Sequence, residues 1–239
     1  MARSNPVQKP GLSKKPGLSR LQIFAQVGAL LPLAVLIWDY FQDNLTVNPI
    51  QEITFRTGKY ALVLLVLSLA CTPLNTLIGF REALRLRRPL GLYAFMYASF
   101  HFLTFIGLDY GFDLELIYEA IFEKRYALVG FAAFLILLPL AITSTKGWQK
   151  RLGKNWKKLH QLVYVAAGLV VVHFVWGVKS DIREPLIYGA IVLSFLLLRV
   201  PAIRQRLKVR SLLTPGARRP DRTLMPTPKT AKYPVNSPE

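Results

Sequence analysis

Two histidines, His101 and His173, lie inside apolar stretches long enough to cross a bilayer, and the chain of 239 residues has only three histidines. An imidazole in hydrocarbon is costly, so such a residue indicates function more often than packing. Counted from the start of each stretch, the two histidines lie about 18 and 21 Å along helices that run in the same direction. Two histidines at one depth on facing helices can supply both axial ligands of a haem iron.

The alternative for each histidine is a structural role, as a hydrogen-bonded residue between helices. The matched depth of His101 and His173 favours axial ligation, which suits electron transfer because no iron position stays open. His160 precedes His173 by 13 residues and is about 140° out of phase with it on an ideal helix. A second bis-histidine haem is therefore not predicted. His160 is a structural residue, an alternate ligand or part of a cytosol-side site.

Six apolar stretches must position these side chains, since about 20 helical residues cross the hydrocarbon of a bilayer. The stretches run over 21–41, 60–79, 89–108, 126–145, 159–178 and 185–200. Because their connections are short, consecutive helices should be antiparallel. The sequence thus predicts an all-α bundle of about six membrane-spanning helices. No internal repeat is expected.

The charged residues predict how this bundle is oriented. The chain has 31 Lys and Arg against 13 Asp and Glu, and the basic residues fall in the tails and in alternate loops. This is the pattern of topogenic charge, and no basic face typical of a nucleic-acid-binding domain is predicted. Acidic residues concentrate in 109–123, on the opposite side, so both termini are predicted to be cytosolic.

Segments outside the apolar core have their own predictions. The basic, proline-containing tails 1–20 and 205–239 should be disordered, flanking a membrane haem domain at 21–204. The single cysteine, Cys71, excludes a thiolate-bound iron–sulfur cluster, which needs several cysteines.

The basic loops on the cytosolic side have two interpretations. They provide topogenic charge and contact anionic lipids, or they form a pocket for a flavin phosphate or a quinone head group. Candidates for such a pocket are Arg87, Arg88, Lys154, Trp156 and Lys157. The sequence has no glycine-rich dinucleotide motif and no soluble segment long enough for a reductase domain. Electrons must therefore come from a membrane-soluble donor or from a separate protein.

Four segments resemble the MsrQ family, also called YedZ, within the ferric-reductase-like transmembrane group. They are TGKYALVLLVLSLACTPL (57–74), RRPLGLYAFMYASFHFLTF (87–105), LPLAITSTKGWQKRLGKNWKKLHQLVY (138–164) and HFVWGVKSD (173–181). With their spacing, the resemblance covers about 21–204 and leaves both tails unmatched.

The resemblance implies a haem b protein of the bacterial inner membrane whose family histidines match His101, His160 and His173. It implies that electrons pass from the quinone pool to MsrP, a periplasmic molybdopterin enzyme that reduces methionine sulfoxide in damaged proteins. It also implies an association with FMN. Two other functions remain open: a stand-alone membrane reductase of the ferric-reductase type, and a haemless transporter or scaffold with structural histidines.

Overall fold

A computed structural model of the chain describes residues 19–178 and 181–200. The described residues form nine α-helices and no strand, which confirms the all-α prediction. The helices are α1 (Arg20–Phe41), α2 (Pro49–Ile78), α3 (Ala83–Leu103), α4 (Leu114–Glu123), α5 (Arg125–Ile142), α6 (Lys146–Leu152), α7 (Lys154–Gln161), α8 (Val163–Gly177) and α9 (Arg183–Leu197). A π-helical segment, Thr104–Asp109, continues α3 directly.

Five segments of the described chain are long and apolar enough to cross a membrane. They are α1, α2, α3 with its π-helical segment, α5, and α7 together with α8. The sixth predicted stretch also forms a helix, α9, but its 15 residues extend only about 22 Å. That is shorter than the ~30 Å of bilayer hydrocarbon. The predicted tails lie outside the described residues, except that Ser19 caps α1 and Arg20 begins it.

Helix α2 begins at Pro49, 11 residues before the predicted start at 60. The Asn48 side chain accepts a hydrogen bond from the Gln51 amide, which caps the first turn. Charged residues in this extension have partners: Arg56 pairs with Asp39 and Glu52. The predicted stretch begins only after these charges, because the sequence does not reveal that their partners lie on α1 and one turn away on α2.

The bundle has two ends of opposite composition. The connection 42–48 and helix α4 lie at the acidic end, while the α2–α3 turn and helices α6 and α7 lie at the basic end. Helix α9 begins near the acidic end, where Glu184 pairs with Lys59 of α2. It ends toward the basic end, where Arg199 donates a hydrogen bond to the Leu69 carbonyl. The described chain therefore starts and finishes toward the same end of the bundle.

Two helical hairpins form the centre of the bundle: α2 packs along α3, and α5 packs along α8. Tyr97 of α3 is completely buried, and its hydroxyl donates to the Ala29 carbonyl of α1 at 2.8 Å. Many large apolar side chains on the outer faces are exposed, as expected for helices that contact lipid. These two hairpins carry the two histidines.

Candidate functional site

His101 on α3 and His173 on α8 meet inside the bundle, as their matched depth predicted. Their ring centres are 5.9 Å apart, and the ring planes cross at 81°. Neither side chain is exposed. The two residues are far apart in the chain, so it is the packing of the two hairpins that brings the imidazoles together.

Each of these histidines is anchored through Nδ1 to a backbone carbonyl of its own hairpin. The Nδ1 of His101 lies 2.9 Å from the Thr54 oxygen on α2, and the Nδ1 of His173 lies 2.7 Å from the Tyr126 oxygen on α5. A carbonyl can only accept, so each Nδ1 carries the proton and donates it. Each Nε2 then carries a free lone pair, since the hydrogen bonds of the two rings to described residues run through Nδ1.

Glycines make room for both rings. A Cβ atom built on Gly58 would lie 3.0 Å from Nδ1 of His101, and one built on Gly130 would lie 2.6 Å from Nδ1 of His173. Cβ atoms essentially never approach another atom closer than 3.0 Å, and contacts of 3.0–3.4 Å are tighter than nine in ten that occur. Each imidazole therefore occupies space that a side chain on the neighbouring helix would otherwise fill.

This geometry fits the two axial positions of a haem. Two metal–imidazole bonds of about 2 Å each, plus the distance from nitrogen to ring centre, separate two axial rings by about 6 Å. The observed separation is 5.9 Å. No group of three or more His, Cys, Asp and Glu side chains within 19–178 and 181–200 could hold a metal ion. Two histidines alone suit a metal that brings its remaining ligands with it, as haem iron does.

The π-helical segment begins three residues after His101 and was not predicted from the sequence. It covers Thr104–Asp109, and the Thr104 hydroxyl donates to the Phe100 carbonyl at 2.8 Å. Such segments occur often at functional sites because they change the direction of the side chains around them. Apart from Asp109 at its last position, the segment contains no proline and no charged residue that could have marked it.

His160 does not join the pair. It lies on α7, which ends just before α8 begins, and its ring stacks on Trp156 with centres 4.0 Å apart. Its Nδ1 lies 3.1 Å from the Trp156 oxygen, while its Nε2 is buried with no partner among the described residues. The Trp156 indole in turn donates to the Thr143 carbonyl at the end of α5.

The other predicted cytosol-side residues are arranged unequally. Arg87 is half-buried, and its carbonyl accepts a hydrogen bond from Ser68 on α2. Arg88 and Lys154 are both exposed. Trp156 is half-buried in the contact with His160.

Arg199, which the sequence analysis missed, lies near this group at the end of α9. Its guanidinium donates to the Tyr164 hydroxyl and to the Leu69 carbonyl, and it stacks on the Tyr164 ring. Its Nε is buried and has no partner within the described ranges. An arginine directly after the long apolar run of α9 was the only sign of this role in the sequence.

Comparisons with known proteins match the part of the chain that forms the helical bundle. Residues 57–171 match the family model described as "Ferric reductase like transmembrane component". The protein-methionine-sulfoxide reductase heme-binding subunit MsrQ of Xanthomonas axonopodis pv. citri is 48% identical over 178 residues, which cover 72% of this chain and 82% of that protein. The protein of the same name from Herminiimonas arsenicoxydans is 44% identical over 188 residues, covering 77% of this chain and 86% of that protein. No solved structure matches the chain.

Proposed function

Because the chain belongs to the MsrQ family, we propose that it is the haem-binding membrane subunit of a protein-methionine-sulfoxide reductase system. The observation that carries this proposal is the pair of facing imidazoles, His101 and His173, with ring centres 5.9 Å apart. Both donate through Nδ1, so both present Nε2 as the ligand atom. Such a second bond fixes the tautomer and orientation of a ligating imidazole before the metal arrives.

A haem b held by His101 and His173 would supply one-electron redox chemistry. The protein's own contribution is to keep both imidazoles neutral, oriented and away from bulk water. The described residues offer no third ligand near the pair. These properties favour an electron carrier over a site that binds and activates a small oxidant.

The position of the pair along the bundle supports electron delivery at the acidic end. Thr54 lies in the second turn of α2, and Tyr126 is the second residue of α5. Both helices begin at the acidic end, and the Lys and Arg distribution supports our proposal that this end faces the periplasm of a bacterial inner membrane, with both termini cytosolic. We therefore propose that the acceptor is a periplasmic reductase, the molybdopterin subunit MsrP that the family resemblance implies.

Electron uptake is proposed at the basic end, from a membrane quinol. Arg87 and Arg199 are hydrogen-bonded to the adjacent residues Ser68 and Leu69 of α2, and neither pairs with a carboxylate among the described residues. A guanidinium that keeps a free N–H suits a quinone carbonyl or a flavin phosphate. Quinol is preferred as the electron donor because the apolar bundle gives a lipid-soluble molecule direct access. FMN is the alternative donor, which the test below distinguishes from quinol.

The test uses the purified full-length chain in detergent. We expect the spectrum of a low-spin haem b, reduced anaerobically by a quinol analogue and reoxidised only when a periplasmic methionine-sulfoxide reductase and a protein methionine sulfoxide, the terminal oxidant, are added together. Absence of haem b would overturn the proposal and support a haemless scaffold. Fast reoxidation by ferric citrate without a protein acceptor would instead support a stand-alone ferric reductase. Reduction by FMNH2, generated from FMN by a flavin reductase and NADH, but not by quinol, would replace the proposed donor.

A further inference from the structure

The two histidine sites are built in the same way, from residues separated by one constant interval. Thr54 and Tyr126 supply the carbonyl oxygens, Gly58 and Gly130 supply the space, and His101 and His173 supply the rings. Within each site the histidine follows the carbonyl residue by 47 positions. Between the sites, every member is displaced by 72 positions, as the residue numbers show (126 − 54, 130 − 58, 173 − 101).

The same interval relates other residues of the two hairpins. Identical residue types recur 72 positions apart at Ala61 and Ala133, Leu65 and Leu137, Leu90 and Leu162, Ala94 and Ala166, and Phe102 and Phe174. Ala94 and Ala166 are both buried. Hairpin α2–α3 is thus repeated, in the same direction, by α5 with α7 and α8. The expectation that the chain has no internal repeat is therefore wrong, and the repeat is hard to see in the sequence because few residue types match between the halves.

Each glycine has a specific place in its site. In a helix the carbonyl of one residue accepts from the amide four positions later, so Gly58 lies one turn from Thr54, and Gly130 lies one turn from Tyr126. The imidazole reaches the carbonyl by lying over that glycine. A methyl group there would press on Nδ1 itself, at 3.0 Å for Gly58 and 2.6 Å for Gly130.

We infer that Gly58 and Gly130 are positioning residues that set the rotation of the two ligand rings, and thereby hold their planes at the observed 81°. The inference rests on the proposed haem function. Because each ring is confined by a carbonyl at Nδ1 and by a glycine beneath it, the ring cannot rotate without losing its hydrogen bond. The crossing angle is therefore fixed by the two hairpins and not by the bound group.

The crossing angle has a direct spectroscopic consequence. Two imidazole planes that cross near a right angle donate to different iron d orbitals and leave them close in energy. Ferric low-spin iron then gives a strongly anisotropic electron paramagnetic resonance (EPR) signal at low field. Rings rotated toward parallel separate those orbitals, which gives a rhombic signal with a smaller maximum g value. Loss of the Nδ1 hydrogen bond also makes an imidazole less basic as a ligand.

The test compares Gly58→Ala and Gly130→Ala with Gly168→Ala. The control glycine lies on α8 with nothing within 4 Å of an added Cβ. We expect the wild-type protein and the Gly168→Ala variant to share a strongly anisotropic signal. Gly58→Ala should move the low-field line to a smaller g value. Gly130→Ala, with the closer contact, should show a larger shift or lose haem while retaining the thermal unfolding midpoint of the control.

Unchanged EPR spectra and haem content in both Gly58→Ala and Gly130→Ala would overturn the positioning role while leaving the haem function intact. A haem-free wild-type protein would overturn both proposals, so the two failures are distinguishable. If Gly130→Ala does not fold, Gly58→Ala decides the matter, because its contact of 3.0 Å requires only a small ring displacement.

Discussion

The two nitrogens of each central imidazole have different partners, and this difference determines what each histidine can do. In His101 and His173, Nδ1 is held by a carbonyl and Nε2 is left without a bond to a described residue. In His160 the ring is stacked on Trp156 and only Nδ1 has a partner. The three histidines are therefore not interchangeable.

The first prediction concerns these three residues. His101→Ala and His173→Ala should each abolish stable haem binding, because a single remaining axial ligand holds the iron loosely. His160→Ala serves as the matched control and should retain haem, since its ring lies on another helix and faces Trp156. The haem-to-protein ratio after purification measures both effects. A haem-free His160→Ala variant beside a haem-replete His101→Ala variant would contradict this assignment.

The second prediction concerns two adjacent arginines that differ in burial. Arg87→Lys should slow quinol-driven haem reduction while leaving haem content unchanged, because lysine cannot reproduce the planar, multiply donating guanidinium. Arg88→Lys should leave the rate unchanged, because Arg88 is exposed whereas Arg87 is half-buried. Stopped-flow reduction by a quinol analogue distinguishes the variants. Equal rates in both would leave Arg87 as a topological charge only.

The pairing of the histidines was predictable at the residue scale, but their anchoring was not. Counting residues from the start of each apolar stretch placed His101 and His173 at matched depth, since helical rise is constant. The carbonyl partners are 47 positions away in the sequence, and every residue has a carbonyl. No side-chain type at Thr54 or Tyr126 could therefore have marked them.

At the scale of elements, the breaks between helices matter as much as the helices. Gly153, with φ of 51°, separates α6 from α7, and α7 is joined to the end of α5 by the Trp156–Thr143 hydrogen bond. The sequence predicted a single stretch from 159 to 178. This predicted stretch omitted the first turn of α7, because Lys154, Lys157 and Lys158 make that turn strongly polar.

The third prediction tests this attachment of α7. Trp156→Phe keeps an aromatic ring beside His160 but removes the indole donor, leaving the Thr143 carbonyl unpaired at a cost of about 1 kcal/mol. The thermal unfolding midpoint should fall while the haem content stays unchanged. Trp148→Phe on α6 is the control, because the Trp148 indole N–H has no hydrogen-bond partner among the described residues and packs on Arg151. A midpoint equal to that of the control would contradict the structural role.

At the scale of the whole molecule, the topology depends on whether α9 returns across the bilayer. Helix α9 extends from the Lys59–Glu184 pair to the contact of Arg199 with Leu69, although it is shorter than the other spans. The apolar runs of the sequence predicted the long helices, but not the short helices α4 and α6 between them. The shortness of the last helix was also visible in the sequence, because the predicted stretch 185–200 is shorter than the about 20 residues that cross a bilayer.

The fourth prediction is that both termini are cytosolic. The basic α2–α3 turn and the acidic segment 109–123 lie at opposite ends of the bundle, and Lys and Arg are retained on the cytosolic side. A fluorescent or phosphatase reporter fused after Glu239 should report the cytosol, and one inserted near Glu115 should report the periplasm. A periplasmic reporter at Glu239 would place α9 on one side of the membrane only.

The unequal lengths of the helices have a consequence for the surrounding lipid. Helix α2 has 30 residues and α5 has 18, which correspond to about 45 and 27 Å. The short helices α5 and α9 both pack against α8, so one side of the perimeter offers a thinner apolar belt than the other. A bilayer adapts to such hydrophobic mismatch by local thinning or by tilt of the protein. The bundle should therefore be sensitive to acyl-chain length on that side, and it should be most stable in lipids whose hydrocarbon thickness matches the shorter helices.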